Sequence, residues 1–215
     1  LSNSPDKLFH AQSGLIPAEQ MPTHQDEYFS ARQDYFLQGN NELIVPLTWT
    51  GNNGVSVTKN FHFKPNSYIV DVDYEVSNNS LSDQVVSSYT QLAHGTPQES
   101  GGFMMGMQNF NGGAVYNDEE IFEKIDFEDF DSTPKMVSIG GWAAMIQHYF
   151  FTAWIPNDKE KHTFSTKSSR DNYLLTTVNP SINIAAGTSA NIGKNQLYIG
   201  PKEHVRLEQL APGLD

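Results

Sequence analysis

The sequence predicts an all-β, mainly antiparallel sandwich, and three observations carry that prediction. Tyr68, Val70, Val72, Tyr74 and Val76 alternate with Ile69, Asp71, Asp73 and Glu75, and a period of two is the strand period. Gly51-Asn52-Asn53-Gly54 separates two β-rich runs, and glycine and asparagine tolerate the positive φ that tight hairpins need. Short runs rich in Val, Thr and Tyr recur between Gly, Asn and Pro turns along the rest of the chain, without a fixed-period repeat.

The elements follow in order. Residues 1–34 are polar and turn-rich and read as irregular, with one short strand around Lys7–Ala11. Glu42–Thr50 and Val55–Phe63 form the arms of the hairpin. Lys64-Pro65-Asn66-Ser67 turns into the strand Tyr68–Val76, and Gln84–Leu92 is the next strand. Residues 94–113 are rich in glycine and methionine and read as a surface loop, and Ala114–Tyr116 follows as a short strand. Asn117 can cap a helix over Asp118–Ile125, whose early acids suit the positive end of the helix dipole. Gly141–Ile155 holds Trp142, Tyr149, Phe150, Phe151 and Trp154; its aromatic content predicts two strand-like pieces broken near the glycine pair and stopped at Pro156. Thr163–Thr166, Tyr173–Thr177, Ile182–Ile184 and Thr188–Ile199 continue the β pattern. Pro201 suits the first turn of a C-terminal helix over 203–210, which Pro212 and Gly213 end.

Composition narrows the function. The chain has 215 residues, 38% of them apolar and 12% aromatic, enough for the core of a single large domain. Its formal net charge of −12 repels phosphate backbones, so nucleic acid is not an expected partner. With no cysteine, disulfides, thiolate metal sites and cysteine nucleophiles are all excluded. No apolar run approaches the ~18 residues of a membrane-spanning helix.

Candidate chemistry is sparse. Asp71, Asp73 and Glu75 share a strand face and could in principle form an acid–base pair for a sugar, but polar-out alternation alone produces this pattern. The seven histidines show no His-x-His or His-Glu-x-x-His spacing, and His148 reads as a partly buried, hydrogen-bonded side chain. Gly-x-Ser-x-Gly is absent, and the glycine pairs lack the lysine of a phosphate loop. No catalytic residue, metal ligand or cofactor is assigned. The segment 117–131 holds eight acids and one lysine. It is read as a solvated face or, more sharply, as a docking surface for a partner, with Asp118, Glu119, Glu120, Glu123, Asp126, Glu128 and Asp129 as contact residues. Met104, Met105 and Met107 could fill the core or, with the aromatic run, line a groove for extended chains.

Gly140-Gly141-Trp142, Gln147-His148-Tyr149-Phe150 and Thr152-Ala153-Trp154-Ile155-Pro156 resemble the large periplasmic domain of the YidC membrane-protein insertases of Gram-negative bacteria. Gln12-Ser13-Gly14-Leu15, Gly113-Ala114-Val115-Tyr116, Leu197-Tyr198-Ile199-Gly200-Pro201-Lys202 and Leu210-Ala211-Pro212-Gly213-Leu214-Asp215 extend the resemblance, in order, over most of the chain. It implies a β-supersandwich similar to mutarotase-like domains, lying on the periplasmic face of the inner membrane between the first two transmembrane helices. It implies a non-catalytic module of an insertase that works with the Sec translocon and contacts the SecD/SecF accessory complex, with nascent membrane proteins as substrates of the whole protein. It also implies that residues 201–215 form a membrane-proximal helix and linker, with Pro201, Val205, Leu210, Pro212 and Gly213 nearest the bilayer, and that the family's first strands precede Leu1. The fold analogy leaves one alternative, a carbohydrate-binding or epimerase-like domain.

Overall fold

A computed structural model describes residues 2, 8–17, 19–95, 110, 112–117, 119, 122–146, 150–157, 159–169 and 172–201. Fourteen strands appear among them: β1 (Phe9–Ile16), β2 (Leu43–Thr50), β3 (Val55–Phe63), β4 (Ile69–Asn78), β5 (Gln84–Gly95), β6 (Gly112–Tyr116), β7 (Phe122–Ile125), β8 (Met136–Ile139), β9 (Trp142–Ile146), β10 (Phe150–Ile155), β11 (Lys161–Ser168), β12 (Asn172–Val178), β13 (Ile182–Ile184) and β14 (Thr188–Pro201). One 3-10 turn, Phe127–Asp129, is the helical element among the described residues.

The strands form two antiparallel sheets. The smaller runs β1-β5-β12-β11-β8, with β13 also paired to β5; the larger runs β2-β3-β4-β14-β10-β9-β6-β7. Side chains of both sheets meet in two clusters. Val72, Leu92, Val115, Phe130, Trp154, Phe164 and Leu175 belong to one. Leu15, Val55, Val57, Tyr74, Val76, Val86 and Ile184 belong to the other. A third cluster draws its buried members from the larger sheet alone: Ala114, Trp142, Ala144, Ile146, Phe151, Ala153, Ile155 and Tyr198. β9 and β10 are therefore buried on both faces, as their near-continuous apolar sequence requires.

Local chemistry explains most boundaries. Gly54 closes the β2–β3 hairpin at φ 83°. Pro46, which cannot donate to a ladder, falls on β2, an edge strand of the larger sheet. Gly140 and Gly141 turn the chain from β8 into β9 at φ 69° and 84°, and a Cβ on Gly141 would strike the Tyr116 carbonyl.

Several expectations need correction. The helix expected over Asp118–Ile125 is a strand from Phe122, paired with β6 from Tyr116↔Phe122 to Gly113↔Ile125. Asn117 does accept a backbone N–H, that of Glu119 at 3.0 Å, but as an isolated turn. Pro201, expected in the first turn of a helix, is instead the last residue of β14, opposite Phe150. The expected helix over 203–210 lies outside the described residues, as do Met104, Met105, Met107, His148 and Tyr149. The aromatic run divides after Ile146, and the glycine pair precedes it. β1 runs on to Ile16, well past the short strand expected near Ala11. β8 was not expected; it has four residues and, among the described residues, pairs with β11 alone.

Candidate functional site

The acidic segment forms a ledge at the end of the larger sheet. β7 is an edge strand and carries Glu123 outward. Asp126, Glu128 and Asp129 are exposed around the 3-10 turn, and Glu119 is exposed on the turn before β7. Asp118 and Glu120 lie outside the described residues. The ledge is nailed down from beneath. Phe130 is fully buried, and Phe127 stacks at 4.5 Å from Tyr173 and 5.0 Å from His94. Thr166 donates to the Phe130 carbonyl at 2.7 Å, and the Ser168 amide and hydroxyl both donate to the Asp131 carboxylate, which holds it below the usual range. Five exposed acids thus stand on a packed aromatic base, with Lys124 the neighbouring cation on β7. At the other expected site, Pro201 is described; Val205, Leu210, Pro212 and Gly213 lie outside the described residues.

Asp71 and Asp73 lie on the outer face of β4, as the alternation predicted, and are tied into a surface network. Asp71 accepts from Lys64 at 2.8 Å and Gln196 at 2.8 Å, while Asp73 meets Asn60 at 3.0 Å and the His62 Nε2 at 2.7 Å. Lys64 and Gln196 outweigh burial and keep the Asp71 carboxyl below its ordinary range. No cluster of three or more His, Asp or Glu residues with metal-binding geometry occurs among the described residues.

A second site was not anticipated. A half-open cavity of about 180 Å³ lies between the sheets, with apolar walls from Leu47, Phe61, Trp154 and Leu197. Ser13, His24, Tyr28 and Lys59 bring polar groups to it. Lys59 sits in the inward register of β3, after Val55 and Val57, and is 8% exposed. Its Nζ donates to the Ser13 carbonyl at 2.8 Å and lies 5.2 Å from the Phe61 ring, 5.6 Å from Tyr74 and 5.8 Å from Tyr28. No carboxylate among the described residues pairs with it, and burial pulls its pKa down to about 8. Tyr74 donates to the Ser13 hydroxyl at 2.9 Å, so Ser13 joins both sheets. His24 bonds the Tyr89 hydroxyl through Nδ1 at 2.7 Å, and burial holds its pKa below the ordinary value. The Tyr28 hydroxyl is buried without a hydrogen-bond partner, and burial pushes its pKa up. One signal was present in the sequence: a lysine at an inward position of an otherwise apolar strand face.

The profile of the YidC periplasmic domain matches residues 1–215. The membrane protein insertase YidC of Vesicomyosocius okutanii subsp. Calyptogena okutanii is 47% identical over 215 residues, all of this chain and 39% of that protein. The chain thus spans 39% of the length of the curated relatives it matches first. Among solved structures, an α-galactosidase from Lactobacillus brevis aligns over 94% of this chain and 27% of its own at TM-score 0.54 and 10% identity, a likeness of fold alone. A galactose mutarotase-like protein from Lactobacillus casei aligns over 90% of this chain and 84% of its own at TM-score 0.49 and 8% identity. The family profile matches the whole chain and the first relative is 47% identical across all of it, so the chain belongs to the YidC periplasmic domain family.

Proposed function

We propose that this chain is a non-catalytic interaction and scaffold module of a membrane-protein insertase, held at the periplasmic face of the bacterial inner membrane. The observation that carries the proposal is the match, across the entire chain, to proteins named membrane protein insertases. The whole protein inserts and folds nascent inner-membrane proteins with the Sec translocon, and this domain supplies contacts to the SecD/SecF accessory complex. The segment 201–215 joins the sandwich to the membrane, with Pro201, Val205, Leu210, Pro212 and Gly213 on the bilayer side.

The acidic ledge is the contact surface. Its charges are exposed while its base is buried, so it presents a fixed negative field to a basic partner without a folding cost on docking. Deleting residues 96–135 would be an unsound test, because Val115, Ile125 and Phe130 belong to the main core. The sound test changes charge alone: Glu123→Gln, Asp126→Asn, Glu128→Gln and Asp129→Asn together in the full-length protein. Recovery of SecD/SecF on co-purification should fall, most clearly at low salt. Undiminished recovery would remove the ledge from the proposal.

Trp142 and Trp154 are 1% and 2% exposed, so neither lines a groove for extended chains. The carbohydrate reading rests on fold likeness. Titrating sugars and peptidoglycan fragments into the chain by calorimetry separates it from the scaffold reading, which expects no saturable heat.

A further inference from the structure

The cavity at Lys59 has the composition of a binding pocket: apolar walls with a few converging polar groups. Its volume of about 180 Å³ is large enough for a ligand of roughly six non-hydrogen atoms, since a cavity of ~150 Å³ in another protein holds benzene. Two polar groups there lack a complement, and His24 stands beside them. The Lys59 ammonium spends one N–H on the Ser13 carbonyl and has no carboxylate partner among the described residues. The Tyr28 hydroxyl is buried and unpaired. The imidazole of His24 is anchored through Nδ1, which leaves Nε2 as its other ring nitrogen.

These groups are held in place from outside the cavity. Leu15 N–H donates to the Pro22 carbonyl at 2.9 Å, and Phe29 and Thr48 exchange backbone bonds at 2.7 and 2.8 Å. The segment bearing His24 and Tyr28 is therefore strapped to β1 at one end and β2 at the other. Donors fixed before a ligand arrives bind it with little ordering cost.

We infer that this cavity is a binding site for a small carboxylate, with Lys59 as its counter-ion and Tyr28 as a hydrogen-bond donor. A buried unpaired charge is costly, and the anion that neutralises it removes that cost. A neutral isostere does not. The aromatic rings of Phe61, Tyr74 and Tyr28 favour the cation from the sides. The other titratable groups set the field. His24 is held toward its neutral form by burial, with Lys59 and His10 acting in the same direction. Tyr28, Tyr74 and Tyr89 are held protonated by burial. Asp26 is the opposing carboxylate acting on His24 and Tyr28, and it is turned to solvent and bonded to Thr23 at 2.7 Å. The site therefore carries a positive field below about pH 8 and loses it once Lys59 deprotonates.

The test uses acetate, acetamide and chloride as probes on the 215-residue chain at pH 6.5, with the Lys59 ε-methylene followed by NMR after lysine-selective ¹³C labelling. Acetate should saturate with a Kd of about 1–10 mM, as befits a ligand of so few atoms. It should raise the midpoint of the Lys59 titration, and it should bind at least about tenfold more tightly than acetamide or chloride. Tyr28→Phe should weaken acetate by about threefold to tenfold with the thermal midpoint unchanged. Lys59→Met should abolish binding. An absence of saturation by acetate, equal binding of acetamide or chloride, an unmoved Lys59 titration, or acetate binding that survives Lys59→Met would each overturn the assignment. These readouts are independent of co-purification with SecD/SecF.

Discussion

Strands β4 and β10 lie two places apart in the same eight-stranded sheet, yet their outer faces live in different solvents. On β4, Val72, Tyr74 and Val76 face the core, while Asp71, Asp73 and Glu75 face water among Lys64, His62 and Gln196. On β10, Trp154 faces the same inter-sheet core, but Phe151, Ala153 and Ile155 on the opposite face are buried too. A sheet is thus not one environment. The end carrying β3 and β4 is a two-layer structure with a wet exterior. The end carrying β9 and β10 is apolar through its full thickness, and the acidic ledge hangs from that end by Phe130.

The sharpest way to break this comparison is Trp142→Ala. Trp142 is 1% exposed on the outer face of the larger sheet, where it packs against Tyr116 at 5.9 Å and Phe151 at 5.8 Å. Its loss should cost about 3–5 kcal/mol, read as a lowered urea midpoint. A cost below about 1 kcal/mol would mean that the outer face of β9 and β10 is no core at all.

Lys59 gives the next largest effect, with the opposite sign. Its folded pKa of about 8 lies below the unfolded value of 10.5, so the charged form is penalised in the fold. Below pH 8 both states carry the charge and the full penalty stands. Between about pH 8 and 10.5 the folded chain releases the proton that the unfolded chain keeps, and this lysine's contribution to stability rises by about 3 kcal/mol. Lys59→Met should therefore raise stability at pH 7 by about 1–3 kcal/mol, since the lost bond to Ser13 offsets part of the gain. The same variant should flatten the rise of unfolding free energy with pH. A destabilised variant would show that the aromatic cage outweighs desolvation.

Asp73→Asn stands at the small end. Its bond to His62 is partly exposed, and its replacement should cost at most about 1 kcal/mol and less in high salt. A loss approaching that of Trp142→Ala would erase the difference between the two ends of the sheet.

Much of the β4 end was legible, because a half-solvated strand advertises itself by alternation. β3 and β13 carry the expected bounds, Val55–Phe63 and Ile182–Ile184, since turn residues fence them on both sides. β7 was not legible. Asn117 and a run of acids make a plausible helix start, and only hydrogen bonds to β6, supplied from beyond the local window, pull Phe122–Ile125 into a strand. β8 was hidden for a related reason: four residues with Val137 and Ile139 exposed leave no periodic signal to read. Phe150, the first residue of β10, is 59% exposed and forms the rim of the buried patch. The ledge was read from charge alone, whereas the Lys59 cavity was missed because its polar groups come from positions 13, 24, 28 and 59, on three separate stretches of chain.

The sequence alone determined that this chain is an antiparallel β protein, that it is acidic and free of cysteine, and that it resembles one family. Those properties depend on composition, on neighbours one or two residues apart and on motif order, which survive without coordinates. The tertiary structure alone decided that β7 is a strand, that β9 and β10 are buried on both faces, and that a lysine is caged between two sheets. Each of these depends on partners distant in sequence, and a hydrogen bond or a desolvation penalty exists only once the fold has brought those partners together.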